Sequence, residues 1–125
     1  MLSKFFTNLK MQDKKILSNE IYKTKPKHIV SWLRCCIDLR NICSHYGRLY
    51  FRIFSAIPSG IKNLDDESNR KLWAAILSLK ELYPFKNRWN EDILKKLIYL
   101  MNEHENNIEL EHIGFPKKLK EELKI

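Results

Sequence analysis

Residues 27–53, KHIVSWLRCCIDLRNICSHYGRLYFRI, decide the fold. Apolar side chains recur there at helical spacing, which predicts one helix from about Lys27 through Ile53. On a wheel of about 100° per residue with Arg40 at zero, Ser44, Arg48, Asn41 and His45 fall between about 40° and 140°. Leu49, Ile42, Tyr46, Leu39 and Cys43 occupy the arc from about 180° to 300°. Arg34 and Arg52 fall near 120° and Asp38 near 160°, so arginines flank the polar arc at both ends. Upstream, Val30, Leu33 and Ile37 lie under the same face, so the first turns are expected to be covered by another element. The polar arc is then a local exposure on an otherwise buried helix.

Working outward, Leu2, Phe5, Phe6 and Leu9 predict a short helix from Met1 to about Leu9. A second is expected from Gln12 to Tyr22, with Ile16, Leu17 and Ile21 as its inner face. Lys23 to Lys27 is a basic break, and its Pro26 suits the first turn of the next helix. Ile57-Pro58-Ser59-Gly60 is a turn. Asp65-Asp66-Glu67-Ser68 is an acidic helix start that favours the positive dipole end. The helix it opens is expected to run to about Tyr83, with Leu72, Trp73, Ile76, Leu77 and Leu79 inward, before Pro84 stops it. Asn90 is the expected N-cap of a helix carrying Ile93, Leu94, Leu97, Ile98 and Met101. Gly114-Phe115-Pro116 and a charged turn form the tail. Trp32, Trp73 and Trp89 are expected core or interface anchors.

With 125 residues, 44% hydrophobic and only three Gly and four Pro, the chain reads as one all-α domain, residues 1–125, of four to five helices. No apolar run approaches the ~18 residues of a membrane span. The N-terminus lacks a signal-peptide core, so a cytoplasmic location is expected. Cys35, Cys36 and Cys43 include no C-x-x-C pair and are expected to be small core residues rather than zinc ligands. His28 reads as a surface or cap residue, and His104 and His112 as part of a solvated acidic turn. No metal or other cofactor is expected.

The net charge of +8 is one-sided. Residues 1–54 carry eleven Lys and Arg against three acids, while residues 55–125 carry twelve of each. Such an excess suits a polyanionic partner, either nucleic acid or an anionic membrane surface, or else a solubilising surface. The arc narrows the choice. His45 is its one group able to exchange a proton near neutral pH. Arg40 and Arg48 carry planar forks that match phosphate oxygens, and Asn41, four residues before His45, can orient the imidazole. No carboxylate pair or Ser-His-Asp set accompanies them. A histidine beside arginines suits metal-free cleavage of RNA by its own ribose 2′-hydroxyl. Arg34, Arg48 and Arg52 are candidates to hold the RNA backbone, and Tyr50 to stack on a base. The rival expectation is a non-catalytic module that binds RNA or a protein partner, antitoxin-like in role.

The stretch Ser31-Trp32-Leu33 … Leu39-Arg40-Asn41-Ile42-Cys43-Ser44-His45-Tyr46-Gly47-Arg48-Leu49-Tyr50-Phe51-Arg52 resembles the signature of the Abi-like (abortive infection) family, within the HEPN superfamily of helical ribonucleases. Weaker likeness extends to Leu2–Leu9 and to Gly114-Phe115-Pro116. The resemblance implies a HEPN-like bundle corresponding to the C-terminal part of longer relatives. It also implies a catalytic pair of Arg40 and His45, with Asn41 as polar partner, and a homodimer with a composite cleft. A phage-defence or toxin role follows, with an antitoxin or regulatory RNA as a further partner. Ser44, Tyr46 and Phe51 depart from the family pattern, where Ala, His and Asn are usual.

Overall fold

The computed structural model describes residues 6–45, 52–62, 64, 68–107 and 109–125. These are helical or irregular, with no strand among them, so the fold class is all-α. A helical turn at residues 6–8 precedes α1 (Met11–Ile16), which widens into a π-helical turn at Leu17–Ile21. The long helix α2 spans Pro26–Ser44 and α3 spans Leu72–Leu82. A 3-10 turn at Lys86–Arg88 and a π-helical stretch at Asn90–Leu94 lead into α4 (Lys95–Glu103). Further 3-10 turns precede the short α5 (Leu119–Leu123).

Lys25 is extended (φ −84°, ψ 147°) ahead of Pro26, which occupies the first turn of α2. This is the geometry that a proline imposes on the residue before it and tolerates at a helix start. α2 packs mainly against α3. The seam is built from small side chains: Cys35 meets Ser78, and Ala74 and Ala75 are buried beside it. Small residues let two helices approach closely, and hydrogen bonding of the Ser78 hydroxyl to the Ala74 carbonyl removes the cost of burying it. α3 ends where expected. Tyr83 leaves the helix at ψ 117° immediately before Pro84.

Two apolar clusters flank this seam. One gathers Phe6, Ile29 and Trp32, with Leu9, Leu17, Tyr22, Val30, Leu33 and Leu82 packed against it. The larger holds Trp73, Ile76, Leu77, Trp89, Leu94, Ile113, Phe115, Leu119 and Leu123. Ile61 touches both. The three tryptophans are core anchors, each at most 2% exposed. Of the three residues expected to be covered, Val30 and Leu33 are half-buried against the smaller cluster, whereas the half-buried Ile37 lines an open hollow.

The structure departs from the sequence reading at several points. α2 stops at Ser44, well short of Ile53, with His45 as its C-cap. A helix running on would separate Asp38 from Ser55 by about 25 Å at 1.5 Å per residue; the two are hydrogen-bonded at 2.8 Å. The chain therefore doubles back beside α2. Over α1 and the π-helical turn after it, the inward residues are Leu17, Ser18 and Tyr22, while Ile16 and Ile21 are exposed. The π-helical turn rotates the helix phase, and no period-3.6 wheel anticipates that. α3 begins at Leu72, because Ser68–Arg70 form a turn; Asp65–Glu67, like residues 1–5, lie outside the described residues.

Asn90 is no N-cap. Helical geometry already begins at Trp89, and the Asn90 amide instead pairs with the main chain of Ile125 through both its oxygen and its nitrogen. The tail is core rather than periphery: Phe115 lies 5.1 Å from the Trp73 ring, and Trp89 Nε1 donates to the Leu123 carbonyl at 2.8 Å. Of the three thiols, Cys35 is buried and Cys36 half-buried, and burial pushes both up to about 11, whereas Cys43 is exposed. Cys43 lies next to the last residue of α2, beyond the part of the helix buried among the described residues.

His28 is a structural pin. Its ring stacks on Trp32, and Nδ1 shares a 2.7 Å hydrogen bond with Ser59 Oγ. Trp32 Nε1 donates to the Ser59 carbonyl, and the Ser59 N–H donates to Ser31 Oγ. The neighbouring Gly60 has φ +72°, and a Cβ there would fall 2.7 Å from the His28 ring, so glycine is required on two counts. Burial, reinforced by Lys27 and Lys25, holds the His28 imidazole below its usual 6.5.

Two outcomes are expected. Phe115→Ala destabilises the fold by about 3 kcal/mol, as loss of a buried aromatic against a tryptophan requires, read from the denaturant midpoint. As pH falls below 6.5 the unfolded chain binds a proton at His28 before the folded one does. The contribution of His28 is therefore complete above that pH and is lost on acidification. His28→Gln should show a shallower decline in stability over the same range.

Candidate active site

The C-terminal end of α2 and the returning segment enclose an open pocket of about 430 Å³. Asp38, Asn41, Ile42 and His45 line it from the helix, and Arg52, Ile53, Phe54 and Ser55 from the return. The helix supplies its residues at i, i+3, i+4 and i+7, a single stripe. His45 sits at the C-cap, and its N–H donates to the Asn41 carbonyl at 3.1 Å. Its side chain is exposed, as are those of Asn41 and Arg52. A proton carrier, an amide and a guanidinium thus face one solvent-filled hollow with an apolar wall.

Two contacts hold the return in place. Phe54 is buried, and its N–H donates to the Arg70 carbonyl at 2.7 Å. Asp38 Oδ2 accepts from Ser55 Oγ at 2.8 Å and from the Ala56 N–H at 2.9 Å. A carboxylate in this basic half of the chain thus bonds a hydroxyl and a main-chain N–H of the return and makes no ion pair with a described residue. Ion pairs between described residues lie only beyond residue 85, at Arg88–Asp92, Lys95–Glu91 and His112–Glu109. Arg34, Arg40 and Arg52 make none with the described residues.

The expected site residues are partly brought together. Asn41, His45 and Arg52 share the pocket; Arg52 reaches it from the return rather than from the same helix. Arg40 is exposed and does not line the pocket, but its Nη1 donates to Asn41 Oδ1 at 3.4 Å. Arg34 lines a separate hollow. Arg48 and Tyr50 lie outside the described residues. Asp38, Ile53, Phe54 and Ser55 were not anticipated as site residues. Gly47, inside the predicted helix and two residues past His45, is a sequence signal for an earlier helix end that the helix reading of this stretch passes over. Among the described residues no group of three or more His, Cys, Asp or Glu could hold a metal ion, and no helix is long and apolar enough to cross a membrane.

Asp38→Ala should cost about 2 kcal/mol, the scale of hydrogen bonds to a charged acceptor. It should also speed amide exchange at Ala56. Asp38→Asn keeps an acceptor oxygen and should restore most of the protection; exchange followed by mass spectrometry distinguishes the two.

No curated protein and no solved structure gives a significant match to the chain. Residues 1–51 match the family model of the Abi-like proteins, a span that includes Asp38, Arg40, Asn41 and His45 and ends one residue before Arg52.

Proposed function

We propose that the His45 pocket is a ribonuclease site of the HEPN type that cleaves RNA through its own 2′-hydroxyl, in an abortive-infection or toxin setting. The observation that carries this reading is the meeting of His45, Asn41 and Arg52 in one open pocket on the basic half of the chain. The Abi-like match over the same helix supports it.

In this reading an imidazole accepts the proton of the ribose 2′-hydroxyl as O2′ attacks phosphorus. The P–O5′ bond breaks, and an imidazolium protonates the departing O5′. The products are a 2′,3′-cyclic phosphate and a 5′-hydroxyl. Arg52 lines the pocket and is suited to offset charge on the phosphorane, a role that the sequence reading gave to Arg40. Arg40, bonded to Asn41, orients that amide and adds positive potential beside it. One chain brings one His45, so a second copy across a two-fold axis would supply the second imidazole. The exposed Ile53, 70% accessible on the pocket wall, offers apolar surface for such a contact.

The test is cleavage of labelled RNA by the wild type and by His45→Ala. The variant should lose at least about a hundredfold in rate, the lower end for general acid–base catalysis, while keeping RNA affinity within about twofold. Cleavage should persist in EDTA and leave cyclic phosphate ends. A wild-type protein that binds RNA without cutting it would establish the non-catalytic module instead.

A further inference from the structure

Beside the His45 pocket lies a second hollow of about 280 Å³, lined by Arg34, Ile37, Asp38, Ser55 and Ala56. The two hollows share Asp38 and Ser55, so the Asp38–Ser55 hydrogen bond is the ridge between them. Arg34 stands four residues before Asp38 on α2, the spacing at which an arginine and a carboxylate ordinarily pair on a helix. They form no ion pair here; Asp38 Oδ2 accepts instead from Ser55 and Ala56. The Arg34 guanidinium is left exposed, without an ion pair to any described residue, over a hollow whose lining adds the apolar Ile37 and Ala56 to the hydrogen-bonded Asp38 and Ser55.

A permanent cation at the mouth of a small, partly apolar recess fits one ligand chemistry well: a phosphate joined to a flat ring. Guanidinium forks bind phosphate oxygens, and base faces pack on apolar or guanidinium surfaces. Arg34 lies seven residues before Asn41, about 10 Å along the α2 axis. A strand occupying the His45 pocket therefore passes the Arg34 hollow with its neighbouring nucleotides. A duplex cannot place a base in either recess, since its bases are stacked and paired inward.

We propose that the Arg34 hollow is a nucleotide subsite flanking the His45 pocket, which makes single-stranded RNA the ligand class of this face. Arg34 holds a backbone phosphate, Ile37 and Ala56 contact the adjoining ribose or base, and the Asp38–Ser55 ridge separates consecutive nucleotides. The subsite rests on the RNA reading of the His45 pocket given above.

The experiment is fluorescence anisotropy of the full chain with labelled single-stranded RNA of two and of four nucleotides, with a hairpin duplex for comparison, run beside a cleavage assay. In the wild type, lengthening the strand should improve affinity about tenfold, and the duplex should bind more weakly than the longer strand. In Arg34→Gln and in Ala56→Trp, which fills the recess, that gain should fall below about twofold. Circular dichroism confirms that each variant is folded; should Ala56→Trp fail there, the exposed Arg34→Gln decides alone. A length gain that survives in the variants, or duplex bound as tightly as single strand, overturns the subsite and leaves the His45 reading standing. A gain that vanishes in the variants while the wild type cuts nothing supports the subsite and overturns the nuclease. Failure of the wild type to bind any of the three RNAs overturns both.

Discussion

One carboxylate oxygen helps shape the face that carries the His45 pocket. Asp38 Oδ2 receives the Ser55 hydroxyl and the Ala56 N–H, which ties the chain back along α2. Together with the buried Phe54 and its N–H bond to the Arg70 carbonyl, that tie sets Arg52 and Ile53 opposite His45 and gives the pocket its second wall. The bridge lies between this hollow and the next, where Arg34 makes no ion pair with a described residue. Hydrogen bonds to a charged acceptor are stronger than neutral ones, so a tie of this kind is suited to holding a returning segment.

α2 thus serves two ends. Its first part is a packing element, with Ile29, Trp32 and Cys35 buried against the N-terminal elements and α3. Its last turns are nearly bare, with Arg40, Asn41, Cys43, Ser44 and His45 exposed. The buried part supplies the rigidity that the bare part needs, because side chains carried on an anchored helix keep their mutual spacing. Stacking of His28 on Trp32, with Ser59 and Gly60 closing over them, fixes the other end of the same helix.

The all-α class was legible from scarce glycine and proline and from the period of the apolar residues. α2 was legible at its start from Pro26, and α3 at its end from Pro84, because proline acts on its immediate neighbour whatever surrounds it. The tryptophan anchors followed from size and apolarity. Features set by distant partners were not legible. Asn90 has the composition of a cap, but the nearby main chain of Ile125 claims its amide. The phase of α1 changed through a π-helical turn that no residue type announces. The return of the chain beside α2 shows in a contact between positions 38 and 55, which local periodicity cannot encode. His45 and Asn41 were identifiable from their spacing on one helix, whereas Arg52 reached the same pocket by a route that the wheel did not contain.

The three thiols have unequal fates on this scaffold. Burial holds Cys35 and Cys36 in their protonated, unreactive form, while Cys43 stands open to solvent two residues before His45. A thiol-directed dye or spin label added at neutral pH would therefore settle on one position without any mutation. Cys43 is not among the residues lining the pocket, and residues two apart on a helix do not share a face, so the native chain carries an attachment point outside the pocket stripe.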